Sequence, residues 1–159
     1  MALQAQSESV RKQDGFTLLE MVAVLAIIAT LAAILLPSMP RATSRPRLEG
    51  YAIETAALLK ADRTAALRQH AQINAQVDAP GRTIRSGSTG RTVQVPDDVS
   101  VQAILPLSCN DRPARSAISF FATGTSCGGT IVLSRLGTAF EVRVNWLTGG
   151  IEVVAINAR

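Results

Sequence analysis

Glu20 is the residue whose surroundings make the strongest chemical demand. It lies within residues 16–36, a run of 21 residues in which the only other polar side chains are Thr17 and Thr30. At about 1.5 Å of helical rise per residue such a run is roughly 31 Å long, close to the thickness of a bilayer's hydrocarbon core. A carboxylate inside it costs on the order of 2.5 kcal/mol or more unless it is paired. Glu20 therefore needs a cationic partner, or must snorkel toward an interface one helical turn away, about 5.4 Å.

The other chemistry-bearing residues are few. Cys109 and Cys127 stand 18 residues apart in turn-rich sequence, with no C-x-x-C pair and a single histidine, His70. That set is too small for a zinc site. The cysteines form a disulfide if the segment lies outside the cytoplasm, or are two buried thiols if it does not. The glycines of ATGTSCGGT, residues 122–130, lack the G-K-[ST] of a phosphate loop, and Asp97-Asp98 lacks the ligand spacing of a calcium loop. His70 has no identifiable partners for a catalytic triad. No catalytic, metal or cofactor constellation is expected.

Charge narrows the function classes further. Residues 37–159 carry 14 Arg plus Lys against 9 Asp plus Glu, with Lys60 the only lysine. The arginines are scattered, without a run of five or six like charges, which argues for a solvated basic surface and against a nucleic-acid partner.

The elements that must position these residues follow from composition and period. Residues 1–15 are polar, and Arg11 and Lys12 precede the apolar run. Positive charge there holds the N-terminus in the cytoplasm and sends the rest across. The run is too long for a secretory signal core, and Pro37 and Pro40 stand where a small-residue cleavage site would lie. Pro37, Pro40 and Pro46 predict a kink or short break around 37–46. An Ala-, Leu- and Gln-rich stretch, residues 48–77, then reads as an amphipathic helix. Its stripe is Ala52, Leu59, Ala66 and Ile73, with Leu48, Thr55 and Leu58 beside it, and it is expected to pack on its own domain.

Residues 79–92 read as a loop or hairpin, and beyond them the period becomes two. In the clearest run Phe140, Val142, Val144 and Trp146 alternate with Glu141, Arg143 and Asn145, followed by a Leu147-Thr148-Gly149-Gly150 turn into Ile151. The expected fold class is α+β: a long N-terminal transmembrane helix followed by an antiparallel β-rich head. The expected divisions are 1–15, 16–36, 37–78 as a kinked continuation of the helix, and 79–159 as the β-rich domain.

Gly15-Phe16-Thr17-Leu18-Leu19-Glu20, in register with the basic leader and the apolar run, resembles the processing site of type IV prepilins and type II secretion pseudopilins. The resemblance implies cleavage by a prepilin peptidase between Gly15 and Phe16, N-methylation of Phe16, and an assembly role for Glu20 as the fifth residue of the mature chain. Glu20 would pair with the new α-amine of a neighbouring subunit, whose reference pKa near 8 leaves it mostly cationic. Farther on, Ile118 to Phe121, Gly124, Gly128-Gly129, Ile131 to Leu133 and Val144-Asn145-Trp146-Leu147-Thr148-Gly149 are similar to the GspH/FimT-type domain, in which an Asp is common at the place of Asn145.

Together these resemblances imply a non-enzymatic minor pseudopilin near the tip of a periplasmic pseudopilus, a filament that helps move folded proteins across the outer membrane. Expected partners are the major pseudopilin, the minor tip subunits, the prepilin peptidase, an inner-membrane assembly platform, and the membrane itself through 16–36. The expected location is the inner membrane, single-pass, with the head in the periplasm, where Cys109 and Cys127 would be disulfide-bonded. The alternative is a FimT-like minor pilin of a type IV pilus that binds DNA through its arginines.

Overall fold

The computed structural model describes residues 17–35, 42–114 and 116–157. It divides into two compact units, residues 1–41 and Ala42–Arg159. Within the first, α1 spans Leu18–Leu35 and is apolar on every side except at Glu20 and Thr30. Pro37 lies outside the described residues.

In the second unit α2, Arg45–Gln69, begins after Ser44 with Pro46 in its first turn, where a missing N–H has no consequence. The buried positions Leu48, Ala52, Thr55, Ala56, Leu58, Leu59, Asp62 and Ala66 recur every three or four residues and form one face. That face joins a single core cluster with residues of both sheets. The expected stripe is therefore a packing face of the head, as far as Ala66.

Beyond Ala66 the helix expected to run through 37–78 is shorter than expected. His70 adopts a left-handed conformation, φ 51°, and its N–H closes onto the Ala66 carbonyl. Residues Ile73–Asp78 are a strand, β1, with Ala75 and Val77 buried and their neighbours exposed. Ile73 falls seven residues after Ala66 by coincidence of spacing; the alternation of INAQVD is what the sheet uses. The compact head accordingly starts at Ala42 rather than at residue 79.

The remaining strands are β2 Thr83–Arg85, β3 Thr92–Gln94, β4 Ser100–Ile104, β5 Ser108–Cys109, β6 Arg112–Pro113, β7 Ala117–Phe120, β8 Gly129–Arg135, β9 Thr138–Val144 and β10 Ile151–Asn157. They form antiparallel sheets ordered β3-β2-β1-β7 and β10-β9-β8-β4, with β5-β6 a small separate ribbon. In the second sheet Leu133 lies opposite Phe140 and Ile131 opposite Val142, placing four large apolar side chains on one buried face. Ile84, Ile118 and Phe120 from the first sheet complete the core, and α2 packs on strands of both sheets. Shortening one of these fully buried side chains, such as Leu59 to Ala, costs about 2–5 kcal/mol.

Candidate functional site

The prepilin-like residues divide at the limit of what is described. Gly15 and Phe16 lie outside the described residues. Thr17 precedes α1, and its hydroxyl accepts the Glu20 N–H at 3.3 Å, the side-chain capping bond of a T-x-x-E helix start. The Glu20 carboxylate has no ion-pair partner among the described residues. Leu18 and Leu19 flank it at more than 80% exposure, 83% and 81%. Among the described residues no helix is long and apolar enough to cross a membrane. The 18 residues of α1 amount to about 27 Å, and both ends of the 21-residue run lie outside what is described.

In the head, Cys109 at the end of β5 and Cys127 before β8 are joined as a disulfide, with Cα atoms 5.8 Å apart. The Cys127 N–H donates to the Ser119 carbonyl, so the bridge ties the β5-β6 ribbon to the flank of β7.

Two loops far apart in sequence, those of Gly124 and Thr148, meet at one side chain, Arg63 of α2. Its Nε donates to the Gly124 carbonyl at 3.0 Å and a terminal nitrogen to the Thr148 carbonyl at 2.9 Å. One guanidinium thus holds the loop after β7 against the turn after β9. The junction leaves no room for a side chain: a Cβ at Gly149, whose φ is +63°, would stand 2.0 Å from the Gly124 oxygen. The Asn145 oxygen accepts the N–H groups of Leu147 and Thr148 at 2.9 and 3.0 Å. A carboxylate at this position would accept the same bonds.

This turn also corrects the strand expected over Phe140 to Trp146. Phe140, Val142 and Val144 are buried as the alternation requires, but β9 ends at Val144 and Trp146 is 66% exposed. Once Asn145 starts the turn, the period of two no longer governs the next side chain.

Three further arrangements were not visible in the sequence. Asp62, fully buried on α2, accepts hydrogen bonds from the loop that follows β2: the Ser86 and Ser88 hydroxyls at 2.6 and 2.5 Å, and the Gly87 and Ser88 N–H groups, each at 3.0 Å. Where the head begins, the Thr43 N–H and hydroxyl donate to Asp98 at 2.6 and 2.8 Å, while Arg135 pairs with Asp98 at 2.8 Å and donates to the Thr43 carbonyl at 2.7 Å. The Thr43 amide, then its hydroxyl and the Arg135 charge, hold the Asp98 carboxyl below its ordinary range against some desolvation. Finally, an open groove of about 870 Å³ lies between the sheets, bordered by Val77, Arg85, Ala103, Leu105 and Leu107. No group of three or more His, Cys, Asp or Glu placed to hold a metal occurs among the described residues.

Residues 10–36 match the prokaryotic N-terminal methylation motif. The head resembles the minor pseudopilin EpsH from the type 2 secretion system of Vibrio cholerae, with a TM-score of 0.51 and 11% identity over 65% of this chain and 93% of that one. It resembles equally the type IV minor pilin FimU of Pseudomonas aeruginosa, with a TM-score of 0.52 and 20% identity over 70% and 91% of the two chains. The motif and the fold of the head are thus similar to those of pilins and pseudopilins. A curated relative, type II secretion system protein H of Xanthomonas campestris pv. campestris, is 29% identical over 142 residues, covering 89% of this chain and 83% of the relative. The α+β fold expected from the sequence, a helix followed by an antiparallel head, is the one observed.

Proposed function

We propose that the chain is a minor pseudopilin of a type II secretion system, a structural subunit of the periplasmic pseudopilus that helps export folded proteins. One observation carries this reading: the likeness to a type II secretion system protein H extends over 89% of the chain, through motif and head alike.

On this reading the chain is cut between Gly15 and Phe16, methylated on Phe16, and anchored once in the inner membrane by residues 16–36. Glu20 then sits in hydrocarbon as an unpaired carboxylate until it meets the N-terminal ammonium of a neighbouring subunit. A buried ion pair adds little net stability, but leaving either charge alone is costly, so the pair works as a docking and register device. The partners are other pseudopilins, the prepilin peptidase and the assembly platform. The head does no covalent chemistry; it presents surfaces held by Arg63, Asp62 and the Cys109–Cys127 bridge.

The FimU likeness supports a second reading, a minor pilin of a type IV pilus. A clean deletion separates the two. Loss of exoenzyme secretion with intact surface pili supports the pseudopilin; lost pili with normal secretion overturns it.

A further inference from the structure

The end of the head where the chain arrives from the anchor carries a combination that suits poorly a surface facing only water. Arg45 and Arg47, in the first turn of α2, are exposed. Arg135 is bonded to the Thr43 carbonyl, and the next residue, Leu136, is 85% exposed at the tip of the β8-β9 turn. Leu136 also has φ 47°, a left-handed conformation that residues with a Cβ disfavour. The carboxylates nearby are engaged or set back: Asp98 by Thr43 and Arg135, Asp97 by Arg82, with Glu49 one helical turn beyond Arg45.

Two further facts say what covers this end. Leu36 and Thr43 are seven positions apart in the sequence, so Thr43 lies at most roughly 25 Å of extended chain from the end of the apolar run. Arginines soon after a membrane segment, on the translocated side, also run against the usual charge bias. Anionic headgroups attract such residues, and the interfacial layer accepts an apolar side chain.

We propose that this end of the head docks on the anionic lipid surface, with Leu136 among the headgroups and Arg45 and Arg47 against the phosphates. The inference rests on the membrane-anchored reading above. Docking holds the unassembled head at a set height and orientation, with Trp146 pointing away. Leu136 and Trp146 lie beyond opposite ends of β9, whose 7 residues extend about 24 Å.

That separation supplies the test. The full chain is reconstituted in vesicles with or without anionic phosphatidylglycerol, and tryptophan emission is read against lipids brominated in the upper acyl chain. Two proteins are compared, the native chain, whose only tryptophan is Trp146, and the double variant Leu136→Trp with Trp146→Phe. Docking quenches and blue-shifts the tryptophan at position 136, only in anionic vesicles, and leaves Trp146 bright. Adding Arg45→Gln and Arg47→Gln lowers the docked fraction's equilibrium constant about thirtyfold, from the strength of an arginine at an anionic surface. Flotation separates the two levels of the claim. A chain that floats with vesicles but shows equal quenching at 136 and 146, or quenching indifferent to lipid charge, overturns the docking and leaves the anchor standing. A chain that does not float overturns both.

Discussion

The Asp62 carboxylate accepts the Ser86 hydroxyl at 2.6 Å from a position with no solvent exposure, joining the middle of α2 to the loop after β2. The same carboxylate takes the Ser88 hydroxyl and the Gly87 and Ser88 N–H groups, and among the described residues no basic side chain forms an ion pair with it. The loop is closed on itself by the Ser86 N–H to the Arg91 carbonyl, so one buried acid anchors a whole turn. Removing it strands several buried donors. Asp62→Ala should lower unfolding free energy by about 3 kcal/mol or more, with Asn recovering part of the loss. Urea unfolding of the purified protein measures both.

The Asp98 clasp gives an acid dependence. A carboxyl held below its unfolded pKa contributes stability that is complete above that value, about 3.9 for Asp, and is lost as pH falls through the folded pKa. Stability should therefore drop below about pH 4, and Asp98→Asn should flatten that part of the drop. Thermal melts from pH 7 to pH 3 on both proteins check the difference.

Processing should remove residues 1–15, leaving methylated Phe16 at the N-terminus. Intact-mass spectrometry of membrane-extracted protein reads this directly; a chain beginning at Met1, or after Pro37, overturns processing between Gly15 and Phe16 and with it the pilin reading. A bulky residue in place of Gly15 should leave the precursor uncut.

Glu20→Gln, Glu20→Ala and Glu20→Val should all be inserted and processed, since each removes charge from lipid. Incorporation into sheared pseudopili and secretion should nevertheless fall, because the neighbour's ammonium loses its partner. Glu20→Asp should fall between, its shorter side chain reaching less far. Normal incorporation of Glu20→Val, in a strain lacking the wild-type copy, would show that the carboxylate is not the docking group.

The Cys109–Cys127 bridge closes a loop with a sequence separation of 18. Its reduction, or Cys109→Ser with Cys127→Ser, should cost about 3 kcal/mol in the chain-entropy view. Labelling of unreduced, denatured protein should find no free thiol; two labels per chain would contradict the bridge and the periplasmic location together.

The parts of this protein that sequence alone determines are those governed by near neighbours. The apolar run around Glu20, the register of Gly15 and Phe16 with it, and the buried alternation of Phe140, Val142 and Val144 each depend on spacing within a few residues. So does the burial of Ala52, Leu59 and Ala66 on one helix face. Even there, local spacing failed where tertiary context set the boundary: Ile73 continued the helical stripe on paper but pairs with Phe120 in a sheet, and Trp146 continued the strand but follows a turn. The polar framework of the head is another matter. Asp62 reaches Ser86 across 24 residues, Arg63 reaches Thr148 across 85, and Arg135 reaches Thr43 across 92. A carboxylate or guanidinium on a helix or strand looks solvated until folding decides which distant segment returns to cover it, because its hydrogen-bond partners are backbone groups and serine hydroxyls far away in the sequence.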